Sequence, residues 1–78
     1  MNKKFEELSF ENLLSTQELL IHKLTEVTKE TMRREDIFID ASESLQNKEK
    51  VEVLRASRER NTFLLKVLED LFEIRNNQ

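Results

Sequence analysis

Five arginines, Arg33, Arg34, Arg55, Arg58 and Arg60, are the residues of this chain best equipped to hold a ligand. A guanidinium offers a planar fork of donors that suits phosphate or carboxylate, so such a cluster implies an anion site or a nucleic-acid contact. Acids stand close by at helical spacing: Glu30, Glu35, Asp36, Glu52, and Glu59 four residues after Arg55. Ion pairs within and between helices are therefore the competing role, and the more economical one. A third role fits beside it: Arg34, Arg58 and Asn61 as a polar layer that fixes helix register at some cost in stability.

Little else carries chemistry. His22 is the only histidine and has no ligand set around it, so a metal site is not expected. Asp36 and Asp40, spaced i,i+4 beside Ile37, Phe38 and Ile39, mark solvated positions next to an apolar stripe. With no glycine there is no phosphate-binding loop, and with no cysteine there is no thiol nucleophile. Five serines share one histidine, with nothing to orient it as a base. The expectation is a protein that is not an enzyme and uses no cofactor.

The elements that position these residues are helices. Seventy-eight residues contain neither glycine nor proline, although hairpin turns and positive-φ positions in β folds depend on them. Leu, Glu, Lys, Arg and Gln are abundant, as in long helices. Ser15 and Glu18 have capping-box spacing, and Leu14 and Leu19 occupy the hydrophobic-staple positions around them. From there a 3,4 spacing runs through Leu20, Leu24, Val27, Thr31, Arg34, Phe38, Ala41 and Leu45. It makes "DIFID" (36–40) helical, with Phe38 on the seam. Asn47 is a candidate N-cap for a second helix, whose seam is Val51, Leu54, Arg58, Asn61, Leu65, Leu68, Phe72 and Arg75.

The predicted fold is thus all-α: a single domain in which helices over about 16–46 and 48–76 form an antiparallel hairpin. Residues 1–14 are an N-terminal arm or short third helix, and residues 15–78 are the hairpin. A break near Arg34–Asp36, giving three shorter helices, is the rival organisation. The final "RNNQ" is expected to fray.

Between Phe63 and Ile74 eight of twelve residues are apolar, spread over about 200° of a helical wheel. One antiparallel neighbour covers only a stripe. Phe63, Leu64, Val67, Leu71 and Ile74 are the surplus and the candidate interface. A chain this short also buries only about 60% of its unfolded surface. With no disulfide available, a companion chain is the remaining source of stability. The hairpin is therefore expected to dimerise into a four-helix bundle, or to dock on a partner protein as an adaptor, export-chaperone-like module or regulatory inhibitor. The alternative is an anion or nucleic-acid binder using the arginines, with Asn61 among them. A net charge of −3 disfavours nucleic acid. There is no apolar run of about 20 residues and no apolar leader, so the expected location is cytoplasmic, without a membrane span.

Overall fold

The computed structural model describes residues 3–76. Asn77 and Gln78, half of the tail expected to fray, lie outside the described residues. Three helices follow in order: α1 (Lys3–Glu6), α2 (Phe10–Ser44) and α3 (Lys48–Asn76). α2 and α3 pack against each other as an antiparallel hairpin.

α2 begins earlier than the capping box at Ser15 predicts. Ser9, in extended conformation, caps it by accepting the Asn12 N–H at 3.2 Å, and Glu11 sits favourably in the first turn. With the nucleus formed there, no glycine or proline halts propagation through Ser15, which becomes an ordinary exposed residue of the helix interior. Residues 10–14 therefore belong to α2, and only the four-residue α1 remains separate. α2 also passes unbroken through Arg34–Asp36.

The turn solves the problem of a helix stop without glycine. Gln46 takes the left-handed conformation at φ 58°, the one positive φ among the described residues. Its N–H reaches the Glu43 carbonyl at 3.0 Å, and the Asn47 N–H reaches the Ser42 carbonyl at 2.9 Å. These are the two bonds of a Schellman motif, made with a side chain where glycine is usual. Asn47 then caps α3, its Oδ1 accepting from the Lys50 N–H at 3.2 Å, as the sequence suggests.

Two of the inter-helix contacts lie at equal sequence distances on either side of Asn47, and the others straddle that register. Asp36 and Arg58 are each eleven residues away. His22 and Phe72, each twenty-five away, meet edge to face with ring centroids 4.6 Å apart. The molecule measures 53 × 32 × 15 Å, and its thinnest dimension is about one helix diameter with side chains. Its radius of gyration is 17.1 Å, against about 11.5 Å for a compact domain of this length. The hairpin is a single layer with two open faces.

On α3 the seam is as predicted: Val51, Leu54, Arg58, Asn61 and Leu65 are half-buried and Leu68 is buried, while Phe72 at the open end is 37% exposed. For Arg75 only the backbone is described. On α2 the predicted seam is off by one residue. Ile21, Thr25, Thr28, Met32, Glu35, Ile39 and Ser42 line the interface, while Leu20, Leu24, Val27 and Phe38 remain exposed. The reason is polar. Seating the predicted row against α3 would put Arg34 beside Arg58 and Asn61, gathering like charges with no carboxylate between them. The neighbouring row brings Glu35 to Asn61 and Asp36 to Arg58.

Candidate functional site

Glu35 is the centre of the inter-helix layer. It is 6% exposed, and its carboxylate accepts from Asn61 Nδ2 at 3.0 Å and from the Ser57 hydroxyl. Twelve residues separate it from Asn47, and its partners are ten and fourteen away on α3. Register and hydrogen bonding therefore agree. Among the described residues no buried side-chain nitrogen or oxygen lacks a partner. Asn61 thus serves in a polar layer, as the sequence implies, but with Glu35 rather than Arg34 across from it.

The five arginines divide. Arg58 donates to Asp36 at 2.9 and 3.4 Å and to Thr62 Oγ1 at 2.6 Å; the Asp36 hydrogen bond holds its pKa above the ordinary guanidinium value. Arg55 pairs with Glu43, bridging the helices nearer the turn. Arg33 and Arg34 both bind Glu30, at 2.7–2.8 Å, and pull its carboxyl from 4.5 down to about 2. The pairing in turn raises Arg33. Four of the five thus hold acids of their own chain, and Arg60 is exposed.

The two open faces follow from the seam positions. Stepping one residue forward from the seam rotates 100° around a helix, and stepping one residue back rotates 100° the other way. Since α2 and α3 are both right-handed and run antiparallel, forward steps on both reach the same face of the layer. Forward lie His22, Glu26, Lys29, Arg33, Asp36, Asp40 and Glu43 on α2. Glu52, Arg55, Glu59, Thr62, Lys66, Glu69 and Glu73 accompany them on α3. Every one is polar, and both inter-helix ion pairs lie on this side. A depression of about 650 Å³ beside the turn, lined by Glu43, Asn47, Lys48, Val51 and Arg55, mixes both charges with one apolar side chain.

The backward step gives the opposite character. On α2 it reaches Leu20, Leu24, Val27, Thr31, Arg34, Phe38 and Ala41, with Leu45 following in the turn. On α3 it reaches Lys50 beside the turn, then Val53, Ser57, Arg60, Leu64, Val67, Leu71 and Ile74. Four of the five predicted interface residues, Leu64, Val67, Leu71 and Ile74, therefore share one face. Phe63, 71% exposed, lies on the outer side of α3 instead. Arg34 and Arg60, each thirteen residues from Asn47, form a basic belt across the middle of the apolar face.

No protein-family model matches the chain, and neither a curated protein nor a solved structure is detectably similar to it. Function therefore has to be argued from these faces. Among the described residues seventeen large apolar side chains are exposed and only two apolar residues, Ile39 and Leu68, are buried. No three His, Cys, Asp or Glu side chains among them converge as a metal site. No described helix is long and apolar enough to cross a membrane.

Leu64, Val67, Leu71 and Ile74 thus share a face, whereas the α2 row beside them is the one the spacing assigned to the hairpin's own seam. The signal that separates the two rows was present in the polar residues. Asp36 and Glu35 are the acids that can face Arg58 and Asn61 across the register, and only the row through Glu35 brings them there.

Proposed function

We propose that this chain is a non-enzymatic helical interaction module, which uses its apolar face to self-associate or to dock a partner protein. The observation that carries this reading is one-sidedness. Exposed apolar residues scattered over a surface are ordinary, but a contiguous apolar face opposite a wholly polar one marks an interaction surface. The geometry favours a four-helix bundle built from two hairpins, since a layer one helix thick gains a core by stacking on a second such layer. The chain then acts as an adaptor, an export-chaperone-like module or a regulatory inhibitor, all of which need a folded helical face and no chemistry.

The ion pairs speak for a structural role of the arginines. Arg33, Arg34, Arg55 and Arg58 already have carboxylates, and an incoming anion would have to displace them.

Sedimentation equilibrium at about 0.1 M and about 1 M salt, where the screening length falls from about 10 to about 3 Å, tests the reading. An association retained or strengthened at high salt supports an apolar contact. A chain that associates only at low salt, or that binds a labelled oligonucleotide and loses it when Arg55 and Arg58 are both replaced by Ala, contradicts it.

A further inference from the structure

We infer that the occupant of the apolar face is a second copy of this chain, turned end for end so that the two hairpin turns lie at opposite ends of the bundle. This rests on the interaction-module reading and adds an arrangement to it.

The first argument is the order of residue types along the exposed row of α2. Leu20, Leu24 and Val27 stand on one side of Thr31 and Arg34, with Phe38, Ala41 and Leu45 on the other. The row reads three apolar, two polar, three apolar, and it is symmetric about the point between Met32 and Arg33. Two such rows laid antiparallel set Val27 on the partner's Phe38, Leu24 on its Ala41 and Leu20 on its Leu45. Thr31 and Arg34 then meet at the centre. Polar groups confined to one layer of an otherwise apolar contact select register.

The second argument comes from α3, which must obey the same two-fold axis. The level of the α2 midpoint, reflected through Asn47, falls between Asn61 and Thr62. Val53 and Leu71 lie nine residues on either side of Thr62, while the equally exposed Val67 and Ile74 have Ser57 and Lys50 at the mirrored positions. The axis is therefore set by the symmetric row of α2, and α3 adds one matched pair, Val53 with Leu71.

Charge decides against the alternative two-fold, with both turns at the same end. That arrangement seats α2 on the partner's α3 at equal levels, so Arg34 opposes the partner's Arg60 twice. Like charges directly opposed at a contact are unfavourable. In the end-for-end dimer Arg34 meets Thr31, and Arg60 meets Leu64. Area agrees as well. Apart from half-buried Leu64, the large apolar side chains of this face are between 38% and 81% exposed and present on the order of 900 Å² per copy, near the roughly 800 Å² per partner of a standard interface.

Cysteine cross-linking in the full chain tests the arrangement, because the native sequence has no cysteine. Val27 and Phe38 are eleven residues apart, about 16 Å along one helix, and too far for a disulfide within a chain or between like positions of the dimer. Val27→Cys alone and Phe38→Cys alone are expected to stay monomeric on oxidising denaturing gels. A mixture of the two is expected to give a covalent dimer within minutes of adding a mild oxidant. Both positions are exposed on the hairpin, and circular dichroism confirms that the variants fold. Bridging of Val27→Cys with Val67→Cys, but not with Phe38→Cys, overturns the end-for-end arrangement. No bridging of either mixture, with sedimentation still showing a dimer, overturns it too and leaves self-association standing. No bridging with a monomer at millimolar concentration removes self-association itself.

Discussion

The two faces of the hairpin are built on the same backbone with the same 3,4 spacing, and they differ only in which way one steps from the seam. One residue forward of the seam, all fourteen positions on α2 and α3 are polar, and Arg58–Asp36 and Arg55–Glu43 tie the helices together there. One residue back, aliphatic and aromatic side chains dominate, and Leu24 and Phe38 stand 43% and 53% exposed. Between the faces runs a seam whose α2 side is less apolar than the stripe left outside. Intramolecular packing here follows polar matching at Glu35, Asn61 and Ser57, and the apolar row of α2 is left outside it.

Breaking the apolar face gives the largest expected effect. Leu24→Glu with Phe38→Glu removes two side chains, each worth about 1.5–3 kcal/mol when buried, and puts four like charges into the dimer. The dissociation constant measured by sedimentation is expected to rise at least about a hundredfold. The matched pair on the polar face, Lys29→Glu with Lys66→Glu, is expected to shift it less than about threefold; equal effects from both pairs would erase the distinction between the faces.

The seam comes next. Glu35→Ala leaves Asn61 and Ser57 without their acceptor and opens a gap, so urea denaturation is expected to show a loss of about 2 kcal/mol. Glu35→Leu with Asn61→Leu is expected to recover most of it, since replacing both partners of a buried polar pair by apolar groups is close to neutral. The recovered protein should also be less strict in register, visible as doubled amide resonances.

Smaller again is the turn. Gln46→Gly relieves the left-handed strain at φ 58°, and the midpoint of urea unfolding is expected to rise by the equivalent of about 1 kcal/mol. A loss of stability on that substitution would contradict the Schellman geometry.

The smallest effect is at the exposed Glu30 fork. Its carboxyl titrates near 2 in the folded chain and near 4.5 when unpaired, so its contribution to stability is complete above about 4.5 and disappears as pH falls through about 2. Carbon-detected NMR titration of the Glu30 carboxyl should give that low midpoint. Arg33→Gln with Arg34→Gln should return it to the ordinary carboxylate range.

Helix content, the turn at Asn47 and the α3 seam were all legible in the sequence. Each rests on local chemistry: no glycine or proline to break a helix, an Asn cap, and one apolar row richer than its neighbours. The start of α2 at Ser9 was not, because two cap signals six residues apart compete and the longer helix wins when nothing lies between them to stop it. The α2 seam was hidden for a different reason. Apolar periodicity locates stripes without saying which neighbour covers them, and here the apolar stripe and the packed one differ by a single residue. Matching donors to acceptors across the register, Asn61 to Glu35 and Arg58 to Asp36, is what separates them. The arginines were visible as a group, but their division between acids on α2 and the belt at Arg34 and Arg60 depends on that register.

Solvent access to the Phe38 ring tests the central claim most directly. With 4-fluorophenylalanine replacing phenylalanine, the Phe38 fluorine resonance can be assigned from a Phe38→Leu sample, and its shift compared between light and heavy water over a range of concentrations. The account predicts that Phe38 loses its solvent-isotope shift as concentration rises, while Phe63 on the outer side of α3 keeps its own. A Phe38 ring that remains as wet as Phe63 at millimolar concentration would contradict it.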